Sequence, residues 1–286
     1  MQINDVDRRQ FLKTGVIAAA LAGAGRLPLL SAQTEAGSSI DASTGPHAVK
    51  PIRDHLTRFS PAKPPLGKGG DYALAYDIVH WNWVNNRPGT SGNSVLGRVG
   101  IERRAAGDRV IYEVNQRTRI GGVDNFLDAR VVCEAGDLNP LGEWTLSSYS
   151  KSVKGELDPL SSLSEKGTCD HGRIRIESDG HKYGFNAGNS VVTQWTVLDF
   201  LMRRANPASS AKFDLLEDLS LFKPDQELVY DGVTPVELKR GGIVELQTYA
   251  QTGQGVLPIH YLLDGQGRPQ LVTNSILSWS LSQISH

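Results

Sequence analysis

From Asp71 onward the chain alternates. Tyr72, Leu74, Tyr76 and Ile78 occupy every second position, with smaller or polar residues between them. That is the period of a strand with one buried face. The same grammar recurs over Val95–Arg103 and Val110–Ile120, which flank the turn-forming stretch Arg104–Arg109. It recurs again over Phe126–Cys133 and Trp144–Lys151. Arg173–Glu177 and His181–Phe185 flank Ser178-Asp179-Gly180, the sharpest hairpin signal in the chain. Later strands are predicted over Gln226–Tyr230, Val233–Lys239, Ile243–Ala250, Leu257–Leu263 and Gln270–Leu281, with Asp264–Gly267 as a clear turn. No strand is read between Lys151 and Arg173. Phe213–Leu221 fits a strand or a helical turn.

One stretch breaks the alternation. In Ser190–Arg204, Val191, Trp195, Leu198 and Met202 recur at spacings near a helical turn. Leu201 widens the stripe, Ser190 can cap the start, and Arg203 and Arg204 suit the C-terminal end of the helix dipole. Asn206-Pro207 supplies the stop. Asp199 lies off the stripe and is expected to face solvent. A helix of this kind holds only if a sheet covers its apolar face.

Strands joined by short turns mean antiparallel pairing rather than a doubly wound parallel sheet. The predicted fold is therefore mainly β, of the α+β type. A large curled antiparallel sheet, a half-barrel, packs around one central helix at 190–204. Three regions follow: a leader over 1–32, a Pro-, Ser- and Gly-rich linker over 33–70, and a single β domain over 71–286. Ile52, Leu56 and Phe59 allow one short amphipathic helix inside the linker.

Composition narrows the function classes. The formal net charge is −1, with no basic stripe to track a nucleic acid. Two cysteines, Cys133 and Cys169, are too few for a cysteine-built zinc or iron–sulfur site. They are enough for one disulfide, and that bond is expected if the chain reaches an oxidising compartment.

The N-terminus supplies the address. Arg8-Arg9, one variable residue, Phe11-Leu12 and then Lys13 resemble the twin-arginine export signal, with Asp7 where the pattern has Ser or Thr. A mild, Ala- and Gly-rich apolar run follows to Gly25, and small residues near Ala32 offer a cleavage point. The run is too short to span a bilayer, and Arg26 and Pro28 interrupt it. The resemblance implies passage through the twin-arginine translocase to the periplasm or beyond. No transmembrane segment is expected after cleavage.

The late stretch Pro258–Pro269, an aromatic-containing strand ending in Asp264-Gly265-Gln266-Gly267, resembles the closing hairpin of periplasmic domains of unknown function. Those domains have a curled sheet of the kind seen in lipoprotein carriers. The pair Gly232–Leu238 and Ile243–Tyr249 fits the same layout. The resemblance carries no catalytic residue across.

Candidate chemistry is sparse. Gly188-Asn189-Ser190 begins like a nucleophile elbow but lacks the second glycine. Cys169-Asp170-His171 offers three ligand types, yet neighbours on a strand point to opposite faces; no metal and no cofactor is expected. Asp124, Asp128 and Glu134 have no partner at catalytic range. Trp81 and Trp83 share one strand face and could stack on a sugar ring. Trp195, Phe200 and Met202 could line an apolar cleft beside the helix, with Trp195 at its wall. The reading that fits best is a non-enzymatic exported binding module for a lipid, an acyl chain or an envelope partner. An envelope glycan hydrolase and a purely structural envelope protein are the alternatives.

Overall fold

The computed structural model describes residues 70–84, 87–88, 94–204, 210–238, 242–274 and 276–285. The export motif Arg8–Lys13 and the linker up to Gly69 lie outside them.

The first strand, β1 (Tyr72–His80), sits in the middle of the sheet rather than at an edge. On one side it pairs with β4 (Ser94–Ala106), and a meander continues outward. That meander runs through β5 (Arg109–Ile120), β6 (Val123–Glu134), β7 (Leu141–Lys151), β8 (Leu157–Asp170), β9 (Arg173–Ser178) and β10 (His181–Asn186). On its other side β1 pairs with the last strand, β17 (Leu277–Ser285). The sheet then runs back through β16 (Pro269–Thr273), β15 (Ile259–Leu263), β14 (Ile243–Thr252), β13 (Leu221–Glu237) and β12 (Ala211–Glu217), ending at β11 (Val191–Val192). These fifteen strands form one large, curled, unclosed sheet. The pairing is antiparallel except for β11 with β12. A two-stranded ladder, β2 (Trp83–Val84) with β3 (Arg87–Pro88), stands apart.

Turn chemistry matches sequence where a positive φ is needed. Asp179 and Gly180 sit at φ 48° and 82° between β9 and β10, the two left-handed positions of a type I′ hairpin. The predicted strand over Gln226–Tyr230 joins that over Val233–Lys239 in β13, with an irregularity at Asp231-Gly232. Phe213–Leu221 resolves as the end of β12, a turn, and the start of β13.

The one helix among the described residues, α1 (Gln194–Arg203), starts later than the apolar stripe suggests. Thr193, not Ser190, is the cap. Its hydroxyl accepts from the Thr196 N–H, and the Thr196 hydroxyl accepts from the Thr193 N–H. Val191 and Val192, both β-branched, instead form β11 beside Asp214 and Leu215.

The core lies between α1 and one face of the sheet. One register row shows how it is built: Tyr72, Arg103, Tyr112, Val131, Trp144, Gly167 and Ile176 face the same side across seven strands. Gly167 is small for a reason. A Cβ there would sit 2.1 Å from the Trp144 ring. A second, smaller cluster of Val79, Trp81, Val236, Leu246, Leu262 and Leu271 packs separately.

The expected disulfide is not seen in the structure. Cys133 lies on β6 and Cys169 on β8, with β7 between them, and both thiols are free. Two strand spacings put the Cα atoms roughly 9–10 Å apart, past the roughly 7 Å limit for a bridge. Burial pushes both thiol pKa values up. In the folded protein, alkylation is expected at half-buried Cys169 first and at buried Cys133 only after denaturation, as peptide mapping would show. A single disulfide-linked peptide would contradict this.

Asp214 ties β12 to the approach of β11. Its carboxylate accepts from the backbone N–H of Gly188, Asn189 and Asp225 and from the Asn189 side chain. Burial pushes its pKa up, but these four donors outweigh burial and hold it below the ordinary carboxylate value. A depressed folded pKa stabilises above the unfolded value, and the gain is lost as pH falls through the folded one. Stability contributed by Asp214 should therefore fade below about pH 4. Asp214→Asn should flatten the acid limb of a urea-midpoint-against-pH curve; an unchanged limb would remove Asp214 from the account.

Candidate binding cleft beside the helix

Helix α1 is walled on more than one side. Trp195, Val197, Leu198 and Leu201 are all 2 % exposed or less. Asp199 is fully buried too, which corrects the expectation that it faces solvent. Tyr72 donates its hydroxyl to Oδ1 at 3.0 Å, and Arg103 Nε lies 2.9 Å from the same oxygen. Asn139 Nδ2 and Arg203 Nε donate to Oδ2 at 2.6 and 2.7 Å. Asn139 also donates to the Tyr112 hydroxyl, and Arg203 reaches the Asp137 carbonyl. One helical carboxylate thus gathers β1, β4, β5 and the β6–β7 turn. Burial and the Asp199 charge push the Tyr72 hydroxyl pKa up, which keeps it a neutral donor.

On the opposite flank of α1 the packing is incomplete. A cleft of about 90 Å³ opens between Leu198 and the ends of β15, β16 and β17. Its apolar lining comes from Leu198, Ile259, Tyr261, Val272, Leu277 and Trp279. Tyr261, Val272 and Trp279 form one register row across three strands. Gln116, Gln194, Glu217 and Asp218 contribute polar groups. The two carboxylates are already engaged: Glu217 pairs with Lys223, and Asp218 exchanges two hydrogen bonds with Gln194.

The residues singled out from sequence do not gather in one place. Trp195 is buried in the core and does not line the cleft. Phe200 and Met202 pack part-buried against the core. The Arg204 guanidinium sits over the Phe200 ring at 5.2 Å and over Tyr249 at 5.6 Å. Trp81 is 1 % exposed, in the second cluster, and donates Nε1–H to the Ser278 hydroxyl. As placed, it offers no ring face to a sugar. The Trp83 side chain lies outside the described residues. Trp279 is the cleft tryptophan that sequence reasoning missed. The signal was a half-exposed position on an alternating strand, which looks the same as any surface aromatic.

Cys169, Asp170 and His171 line a second hollow of about 430 Å³ with Gly188, Asn189 and Ser190. Asp170 and His171 form an exposed pair at 2.6 Å. Among the described residues, no three His, Cys, Asp or Glu side chains converge to hold a metal ion. Nor is any helix among them long and apolar enough to cross a membrane.

No family model matches the chain, and no curated protein matches it. Among solved structures, the chain is similar to a DUF1089 family protein from Pseudomonas aeruginosa. The identity is 15 %, the match covers 66 % of this chain and 94 % of that one, and the TM-score is 0.34.

Proposed function

We propose that the chain is an exported, non-enzymatic binding module that takes the end of an acyl chain, or a comparable apolar group, between α1 and the sheet. The observation that carries this reading is the apolar cleft where Leu198 meets Tyr261, Val272 and Trp279. Its size sets the limit. Pockets that enclose a whole small ligand run to roughly 300–1,000 Å³, so this one takes a chain tip unless α1 moves outward. The Arg8-Arg9 motif and the mild apolar run behind it support delivery to the periplasm. A purely structural envelope protein is the second reading. It is favoured by how completely Trp195, Leu198 and Leu201 fill the rest of the helix–sheet interface.

Contact quenching separates the two. A fatty acid brominated near its tail should quench tryptophan emission in the wild type. Trp279→Phe should abolish most of that quenching, and Val272→Trp should block entry. Quenching that persists unchanged in Trp279→Phe, or none at all, would favour the structural reading. Export is tested apart from binding. Arg8→Lys with Arg9→Lys should retain the protein in the cytoplasm on fractionation, and unchanged delivery would sink the address.

A further inference from the structure

Among the described residues, strand β10 is an open edge of the sheet. Its hydrogen-bonding pattern follows from the hairpin before it. Ser178 and His181 close a two-residue turn, so His181, Tyr183 and Phe185 turn their backbone groups toward β9. The bond from Ala187 N–H to the Gly172 carbonyl continues the same phase. Lys182, Gly184 and Asn186 therefore present their N–H and C=O groups outward. All three residues are exposed. Such an edge is a template for another strand.

The solvent-facing side next to this edge carries a separate signal. A groove of about 820 Å³ runs over β6 to β10 and ends on Lys182–Asn186. Arg130, Lys166, Arg173, Arg175 and Lys182 line it, against only Glu143 and Glu177. Both acids are already spoken for, Glu177 by Lys166 and Glu143 by Arg109, and Arg130 pairs with Glu113. Arg173, Arg175 and Lys182 have no ion-pair partner among the described residues. The register places Arg175 opposite Gly184. With no β10 side chain in between, its guanidinium can reach across to a strand lying beyond the edge. Such a strand would stand roughly 10 Å from the Arg175 backbone. On the other face of β10, Tyr183 is 39 % exposed and stands edge-on to Phe185.

We propose that β10 is a docking edge for an extended acidic segment of a partner protein, which adds as a further strand of the sheet. Residues of that segment on the groove side are acidic and meet Lys182 and Arg175. Residues on the other side are apolar and meet Tyr183 and Phe185. An alternating acidic and apolar peptide satisfies both faces at once. This site is distinct from the cleft beside α1 and stands or falls independently of it.

The probe is a fluorescein-labelled, end-capped peptide of alternating Glu and Val, read by anisotropy against the mature chain. Arg175→Glu and Lys182→Glu are exposed substitutions, and thermal melts check that each variant keeps its fold. Each should weaken binding by about tenfold or more. A Lys–Val peptide should not bind. Two further peptides carry N-methyl groups on the Glu amides or on the Val amides, and one of them must lose binding because its donors face β10. The proposal is overturned if the Glu–Val peptide does not bind. Equal binding of both methylated peptides would overturn it as well, since charge alone would then suffice. So would displacement of the peptide by vesicles of anionic phospholipid, which would make the groove a headgroup site.

Discussion

Asp199→Ala is expected to lower the unfolding free energy by about 3–5 kcal/mol, the cost of removing one partner from a buried ion pair. The carboxylate is fully buried, and Arg103 beside it is 4 % exposed. Alanine would leave that guanidinium buried without its counter-charge and would orphan the donors from Tyr72 and Asn139. Helix propensity acts the other way, since Ala is the better helix former, so any loss measured is tertiary. Leu198→Ala is the comparison, at about 2–5 kcal/mol for a cavity in the same helix. Urea unfolding of both variants decides the matter. An Asp199→Ala cost of about 0.5 kcal/mol or less is the signature of a solvated site and would take Asp199 out of the core. A double variant with apolar residues at both 103 and 199 should recover much of the loss, because the pair is then removed whole.

A comparable loss, about 3–5 kcal/mol, is expected for Asp264→Ala in the β15–β16 turn. Asp264 is 3 % exposed and Arg268 1 %. The carboxylate accepts from the backbone N–H of Gln266 and Arg268, from Arg268 Nε at 2.6 Å and from Gln270 Nε2 at 2.8 Å. It folds the turn and neutralises the guanidinium within it. Asp264→Asn keeps acceptor geometry for one oxygen and should cost less than alanine. Hydrogen exchange of the β15 and β16 amides, measured beside global unfolding, should lose protection in Asp264→Ala. Full protection with wild-type stability would mean the turn is held by other contacts.

How much of this was legible depends on the range of the interaction. The β9–β10 hairpin was legible because Asp-Gly is one of the few pairs that accept two left-handed residues. The sheet class was legible because alternation over Tyr72–Ile78 and Val110–Ile120 needs only neighbours to be read. β8 was not: its fourteen residues bury only Ser161 and Glu165, so no apolar period exists to find. The helix start was displaced because Val191 extends the stripe while forming, with Val192, a short strand. Asp199 was misplaced for a physical reason. A charged residue off an apolar stripe reads as solvated unless Arg103, nearly a hundred residues earlier, is known to lie over it. The cysteine pairing, which the structure does not show, was expected on equally local grounds. Cysteine count and compartment say nothing of the strand that separates β6 from β8. The cleft depended on Trp279 and Tyr261 sharing a register row, which no single strand discloses.

The pairing of β1 with β17 has a kinetic consequence. Ala73 lies opposite Ser285, so the middle of the sheet joins the two ends of the described chain. Most other neighbours in the sheet are hairpins that close short loops, and those form early. Among the described strands, only the β1–β17 ladder must span the length from β1 to β17, and loop closure of that length is slow. A chain still being synthesised has two separate meanders and no continuous core until β17 emerges. Until then β1 is itself an unpaired edge, and its alternating Tyr72, Leu74, Tyr76 and Ile78 are exposed to wrong partners. Refolding should therefore show an early phase that reports the meanders and a later one in which the Asp199 network and the β1–β17 ladder close together.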